Sequence, residues 1–448
     1  MIIIIGLVFN IMATLIILSF SRFLFGSYIN LLSAFSLWWY VLLTLALINP
    51  ENYLEVSLFS ASLFYVTPLI VLLGSISSGF FLVIRPTENL LIQPLYAKFS
   101  RVDKILSMFM WILVSIIVAA MYTVSVGLDL DLQSLRNLMY SDEAGSYHPL
   151  FKILTPIKWF SQGLLLYLIF KQVYISLYLK SQLSGYYIGF NIFSYIALNV
   201  SGGGRGALLD LLISIVIIFL ILKPFGKSEK IEFRYKAFKS KAISLLLISL
   251  TMLAVVTLLR GQDQSLFFEL YQVFIGYFLG PFFAFDQMIL IPPEIEISRF
   301  GLTFLGLDTV IVSGFFRLVM GLDIASLISQ SSYVFHTGVD ISDDVRFNAF
   351  YTFLLAPYLD GGLIFVILFL FLLGTVLPIV TQNFYQNTSL YSFFIFIFLF
   401  YYLMSAHRVN ALDSPGWMIF LLIPLIQRVI FVFRRKFKNI SKSMQKNF

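Results

Sequence analysis

The sequence contains no cysteine and only three histidines, His148, His336 and His407. A chain without thiols forms no disulfide bonds and carries out no thiol chemistry. Three histidines in widely separated segments do not form the pattern of a multi-histidine metal site. We therefore expect a protein that works without a metal ion and without another cofactor.

Charged residues are scarce as well. They make up 12% of the chain, against roughly 25% in soluble domains. Hydrophobic residues account for 59%, and the mean hydropathy is +0.92. The composition therefore predicts an all-α polytopic membrane protein, with a single integral-membrane domain over residues 1–448. Its first apolar stretch, 2–20, lacks the basic start and the cleavage site of a signal peptide, so we predict that it is a retained span.

Membrane-spanning helices need roughly 20 mostly apolar residues. The apolar run 269–291 contains Glu269, Asp286 and the helix-breaking pair Gly280-Pro281, and we predict that it is an interfacial or re-entrant segment. Eleven other apolar segments are predicted to span the membrane: 2–20, 28–48, 57–84, 105–127, 158–179, 185–201, 206–223, 242–260, 351–380, 389–405 and 416–433.

Lysine and arginine clusters predict the orientation of the spans, since such clusters collect on the cytoplasmic side. The loop 223–241 holds seven of these residues, the C-terminal segment 434–448 holds six, and a third cluster lies between 85 and 104. Eleven spans place all three clusters in the cytoplasm, with the N-terminus outside. The C-terminal segment is then a basic cytoplasmic tail, and 261–350 becomes a large outer (periplasmic) loop, which we expect to contain short helices.

The predicted outer side uses arginine rather than lysine, with seven arginines and two lysines. Arginine is preferred where a planar group must bind a phosphate with two hydrogen bonds. Arg205 follows Gly203 and Gly204 and precedes an apolar helix whose first N–H groups also attract anions. The simpler alternatives are a glycine turn with a snorkelling arginine, and arginines paired with loop aspartates. For the whole set we favour an anion site at the outer face, with these candidates: Arg205, Arg260, Arg299, Arg317, Arg346 and Arg408.

His336 is the first candidate for a general base, because histidine titrates near neutral pH and this one lies in the long outer loop. Asp340, Asp343 and Asp344 follow it and are the second candidates. The alternative is a loop histidine that only makes hydrogen bonds. Arg346 follows His336 by ten residues, so the two share a pocket if the loop folds back.

Three stretches, in this order, resemble the O-antigen polymerase family, the Wzy-type oligosaccharide repeat-unit polymerases. The first is Ser201–Leu209, with its Gly-Gly-Arg-Gly entry into a span. The second is Tyr277–Asp286, followed by Phe300–Phe304. The third is Phe347–Thr352, followed by Tyr358–Leu363. Their order, and the long loop between the eighth and ninth predicted spans, also match the family.

The resemblance implies a glycosyltransferase of GT-C-like architecture at the outer face of the bacterial cytoplasmic (inner) membrane. Such a polymerase transfers the growing chain from undecaprenyl diphosphate to a sugar hydroxyl on the next lipid-linked repeat unit, and so builds O-antigen or a similar surface polysaccharide. It uses no nucleotide sugar and no known obligatory metal. The lipid-linked oligosaccharide and the bilayer are its expected partners, together with a chain-length regulator, and nucleic acid is not.

The chemistry of this transfer agrees with the residues found above. Negative charge grows on the diphosphate as it leaves, and preorganised arginines stabilise that charge. We therefore expect Arg205, Arg260 and Arg346 to hold the diphosphate. The proton of the attacking hydroxyl would go to His336. Further candidates for binding the substrate are Asn348, Tyr351 and Asp360.

Two other classes of protein remain open. An O-antigen ligase, which transfers the finished chain to a lipid A core, would share the fold and the arginines. A transporter or repeat-unit flippase would carry its ionisable residues near the middle of the membrane, in broken helices. The sequence favours the polymerase, because its charges collect at the predicted outer interface, apart from Lys171.

Overall fold

The computed structural model of the protein describes residues 2–25, 30–48, 53–79, 100–127, 149–178, 185–201, 275–290, 339–342, 346–347, 351–386, 389–407 and 414–446, with the single residues 247, 251, 303 and 412. Ten helices lie in these ranges. They are α1 (Ile2–Phe25), α2 (Leu31–Ile48), α3 (Leu58–Gly79), α4 (Arg101–Gly127), α5 (Pro149–Tyr178), α6 (Gly185–Val200), α7 (Gly280–Leu290), α8 (Leu355–Gln386), α9 (Leu390–Ser405) and α10 (Pro415–Lys446).

The described part of the chain is almost entirely helical, as the composition predicts. Five of its helices, α1 to α4 and α8, are long and apolar enough to cross a membrane, while α9 and residues 415–430 are shorter apolar helices. Nine of the eleven predicted spans coincide with helices. The other two, 206–223 and 242–260, lie outside the described residues apart from Leu247 and Thr251. The count of eleven crossings stays a prediction.

Several predicted boundaries are wrong. α5 begins at Pro149, nine residues before the predicted start, because proline is well suited to the first position of a helix. α10 continues to Lys446, so most of the predicted basic tail is a helical extension of the last span, where basic side chains favour the helix C-terminus.

The all-α prediction also misses a short antiparallel pair of strands within 261–350. The strands are β1 (Val339–Asp340) and β2 (Arg346–Phe347). The residue after β1, Ile341, is fully buried, and its carbonyl oxygen accepts a hydrogen bond of 2.7 Å from the Leu54 N–H. Since the strands are only two residues long, their sequence has too little alternation to predict them.

A buried ion pair explains how Lys171 is accommodated within α5. Its Nζ atom lies 2.7 Å and 2.9 Å from the two carboxylate oxygens of Asp103. Asp103 also closes a reciprocal cap at the start of α4: it accepts from the Ser100 N–H at 2.7 Å, and its own N–H donates to the Ser100 hydroxyl at 3.2 Å. Lys171, which lies within the predicted fifth span 158–179, therefore links α5 to the first turn of α4.

Close glycine contacts hold α3 and α8 side by side. A Cβ atom at Gly74 would lie 2.1 Å from the Phe371 carbonyl oxygen, and one at Gly374 would lie 2.2 Å from that of Val71. The Ser75 hydroxyl donates to the Gly374 carbonyl oxygen at 3.0 Å. Small residues of this kind let two membrane helices approach at backbone distance. The two helices run in the same direction, as the predicted topology requires of spans three and nine.

Replacing Gly74 by alanine should force α3 and α8 apart, because the obstructing atom is a backbone oxygen that cannot rotate away. We expect a loss of about 1–3 kcal/mol in stability, the usual cost of overpacking, seen as a lower thermal unfolding midpoint of the purified protein in detergent. Gly189→Ala is the matched control, since a Cβ there meets nothing within 4 Å. Equal midpoints for Gly74→Ala and Gly189→Ala would contradict the close packing.

Candidate functional site

The first part of α8 folds back on the rest of the helix. Its backbone leaves the helical conformation at Gly361 and Gly362, and Gly362 has φ +65°, a conformation that favours glycine. Sixteen residues of straight helix would separate Phe353 from Phe369 by about 24 Å, yet their ring centroids lie 6.1 Å apart. The segment 353–360 is therefore a short helical arm that starts inside the bundle. It runs alongside the helix that follows it, in the opposite direction.

α7 is a second short segment inside the bundle. It begins at the breaker pair Gly280-Pro281 and is only eleven residues long. The ring of Phe282 lies 5.2 Å from that of Trp39, within α2, and 5.0 Å from that of Phe64, two turns into α3. α7 thus begins at the depth of these rings. Its later residues reach the start of α3.

Asp286 fixes α7 to the start of α3. Its side chain is buried and accepts hydrogen bonds from the Ser57 backbone N–H, at 3.0 Å, and from the Ser57 hydroxyl. The Ser57 oxygen also accepts a bond of 3.3 Å from the Ser60 N–H, so it caps α3. The carboxylate therefore lies beside a helix N-terminus, where a negative charge is favourable.

The second and third of the stretches that resemble the polymerase family meet in this region. Asp360 Oδ2 accepts from the Thr303 N–H at 2.7 Å and from the Thr303 hydroxyl at 2.5 Å. The ring of Tyr358 lies 6.2 Å from that of Phe285. Asp360, a candidate for binding substrate, thus uses one oxygen to hold Thr303 beside the turn at Gly361.

His407 lies in the turn after α9. It is close to the ends of the two short segments that lie deepest in the bundle, which we call their inner ends. Its ring stacks on Phe278 at 5.3 Å between centroids and meets the edge of Trp38 at 5.7 Å. The side chain is fully buried, and burial lowers its pKa to about 3, against a smaller opposing effect of the hydrogen bond to the Met404 carbonyl oxygen. The imidazole is therefore uncharged at neutral pH.

The inner end of the folded-back arm lies against the same turn. The Phe353 N–H donates a hydrogen bond of 2.8 Å to the Ala406 carbonyl oxygen. This bond joins the backbone segment that carries Thr352 to the one that carries His407. Thr352 is also buried. We call the group formed by Trp38, Phe278, Thr352, Phe353 and His407 the His407 cluster.

Most of the candidate residues from the sequence lie outside the described residues. Arg346 is placed only by its backbone, in β2, where it pairs in register with the exposed Asp340. Tyr351 is buried, just before Thr352. The candidates outside the described residues are Gly203, Gly204, Arg205, Arg260, Arg299, Arg317, His336, Asp343, Asp344, Asn348 and Arg408. The described part of the chain also holds no group of three or more acidic or histidine side chains that could bind a metal.

His407 and Thr352 are not among the site residues that the sequence predicts. The available signal was the position of His407 at the end of a predicted span, directly before Arg408. Nothing in the sequence indicates that it stacks on Phe278, because that contact joins segments 129 residues apart.

Comparisons with protein-family models, with curated proteins and with solved structures find no match to this chain. The likeness to O-antigen polymerases therefore rests on the three stretches described above.

Replacing Asp286 by alanine should weaken the attachment of α7 to α3, because the Ser57 N–H and hydroxyl would lose their acceptor in a buried place. We expect a loss of about 1–3 kcal/mol, measured as a lower thermal unfolding midpoint in detergent. Thr123→Ala is a suitable control, since that hydroxyl is exposed and bonds only within its own helix. An unchanged midpoint for Asp286→Ala, equal to that of the control, would rule out the attachment.

Proposed function

We propose that this protein is a Wzy-type polymerase with GT-C-like architecture, which joins undecaprenyl-diphosphate-linked oligosaccharide repeat units into O-antigen or a similar surface polysaccharide. The main support is the contact between the second and third stretches, made by Thr303 with Asp360 and by Phe285 with Tyr358. Stretches that carry a family resemblance and lie far apart in sequence meet at one end of the bundle, as the parts of one site must.

The arrangement suits a substrate that is half lipid. The sugar and diphosphate of such a substrate lie at the membrane surface while its polyprenyl tail stays among the lipid chains. α7 and the folded-back arm of α8 fill the bundle from the depth of Trp39 up to the start of α3. Protein segments at this depth can contact a sugar without leaving the reach of a membrane-bound donor.

The proposed reaction breaks the bond between the first sugar of the growing chain and the diphosphate. A hydroxyl of the incoming lipid-linked unit forms the new glycosidic bond, and undecaprenyl diphosphate leaves with the bonding electrons. Arg205, Arg260 and Arg346 would stabilise the negative charge on the leaving diphosphate. His336, or one of the aspartates after it, would take the proton of the attacking hydroxyl.

The relative directions of the helices agree with the predicted order of the spans. α4 and α6 run in parallel, since Ser107 contacts Asn191 near their starts and Met121 contacts Ser201 near their ends. α3 and α8 are parallel as well. Eleven spans with the N-terminus outside give these pairs the same directions and place the start of α3, with the attached α7, at the outer face. We infer a location in the bacterial inner membrane from the proposed substrate.

A transporter or flippase is the second candidate, and one observation favours it. Broken helical segments inside the membrane, with buried ionisable groups, are typical of transporters. α7 with Asp286 and the folded-back arm beside His407 have this form. The hydrogen bonds from Ser57 to Asp286 argue for the polymerase, because they give this carboxylate a structural role rather than a role in ion coupling. An O-antigen ligase would use the same architecture with a different acceptor.

Deletion of the gene in its native host should separate these classes. We expect single repeat units on the cell surface in place of the ladder of long chains when surface polysaccharide is run on a gel. A plasmid copy of the gene should restore the ladder. Loss of a flippase or a ligase would leave no repeat units on the surface, and that result would exclude polymerisation.

A further inference from the structure

We propose that His407 and Thr352 form a binding point for a ligand hydroxyl. The inference rests on the proposed function for the identity of the ligand, which is then a sugar of the lipid-linked oligosaccharide. Neither residue is among the arginines, the loop histidine or the aspartates to which the sequence assigns roles. The proposal is supported by unpaired polar atoms at the inner ends of α7 and of the folded-back arm of α8.

One nitrogen of His407 is fixed by its surroundings, and the other has no partner among the described residues. The Met404 carbonyl oxygen lies 3.1 Å from Nδ1 and 3.0 Å from Trp38 Nε1, and its two lone pairs can accept both protons. Nε2 then carries a lone pair. Within the described part of the structure this atom is buried and makes no hydrogen bond.

The other tautomer leads to the same conclusion. Trp38 Nε1 also lies 3.3 Å from His407 Nδ1, so Nδ1 can accept that proton instead, which leaves an N–H at Nε2. Nε2 is without a partner in both cases. A hydroxyl group can donate and accept, so it satisfies either tautomer.

A second unpaired polar atom lies on the adjacent backbone segment. Thr352 Oγ1 makes no hydrogen bond in the described part of the structure. The bond between the Phe353 N–H and the Ala406 carbonyl oxygen joins the backbone segments that carry Thr352 and His407. Each unpaired buried group costs about 1–3 kcal/mol. Two of them on adjacent segments indicate a ligand that pairs with both.

The surroundings indicate a neutral, carbohydrate-like group. His407 is uncharged because burial lowers its pKa, and among the described residues no charged side chain contributes to that shift. A phosphate would need cationic donors. Phe278 and Trp38 provide aromatic rings beside His407, and such rings suit the apolar faces of sugars. Because His407 is fully buried, the ligand reaches it only after the covering side chains move.

The test compares two replacements that each keep one end of the imidazole. His407→Gln places an amide near the position of Nε2 and loses the contact of Nδ1 with Met404. His407→Asn keeps a polar atom near Nδ1 and loses Nε2. If Nε2 binds the ligand, the glutamine variant keeps its function although it is less stable. The asparagine variant then loses function although it remains folded.

The variants are expressed in the deletion strain, and surface polysaccharide is compared with that from the wild-type copy. Protein amount and thermal unfolding midpoint are measured in parallel. We expect His407→Gln to keep the long polymer and His407→Asn to make about tenfold less, the loss of one hydrogen bond to the substrate. Polymer from His407→Asn and none from His407→Gln would make His407 a structural anchor and overturn the proposal.

Thr352→Val decides the matter if both histidine variants fail. The substitution removes the hydroxyl at nearly constant volume, so a purely structural Thr352 predicts equal or higher stability and full polymer. The proposal predicts unchanged stability with about tenfold less polymer, and full polymer would overturn it. Normal polymer in the deletion strain itself would instead contradict the proposed function, so the two failures are distinguishable.

Discussion

Inside an apolar helix bundle, a polar group that loses water must find its hydrogen-bond partner within the protein. Three contacts meet this requirement and connect distant parts of the chain. Asp103 and Lys171 join α4 to α5. Ser57 and Asp286 join α3 to α7, and a hydrogen bond to Asp360 holds Thr303 beside the turn in α8. The two short segments keep their places because the buried Asp286 and the half-buried Asp360 hold them.

Two buried polar atoms in the described part of the bundle do not meet this need for a hydrogen-bond partner. His407 Nε2 and Thr352 Oγ1 have no partner in the described residues, although they lie beside closely packed aromatic rings. Unpaired buried atoms also occur elsewhere in the described residues, in Asn10, Ser21, Ser60, Ser161, Gln172, Asn191 and Ser194. What separates the His407 cluster from these residues is its position, at the inner end of the two segments that carry the resemblance to polymerases.

The sequence predicts those features that depend on local composition. Apolar runs identify helices at nine of the eleven predicted spans, and the breaker pair Gly280-Pro281 marks the start of α7. The reversal of α8 is not predictable in the same way. Gly361 and Gly362 lie in a segment apolar enough to be predicted as one continuous span, and only the contact of Phe353 with Phe369 reveals the folded-back arm.

The partners of each residue in the site depend on tertiary contacts, so the sequence predicts candidate residues but not which of them meet. The role of Asp360 in binding substrate stays a prediction, and its hydrogen bond with Thr303 joins two segments whose contact the sequence does not indicate. In the sequence, Asp286 indicates only that 269–291 is not a further span. In the structure it accepts hydrogen bonds from Ser57 and so attaches α7 to α3. Arginine composition can indicate an anion, but it cannot indicate which arginines converge.

The proposed polymerase activity is tested most directly with the purified protein in liposomes that contain the undecaprenyl-diphosphate-linked repeat unit as the sole substrate. The account predicts a ladder of longer lipid-linked oligosaccharides, with release of undecaprenyl diphosphate for each bond formed. Transfer of an unchanged repeat unit from one leaflet to the other, with no increase in chain length, would contradict it.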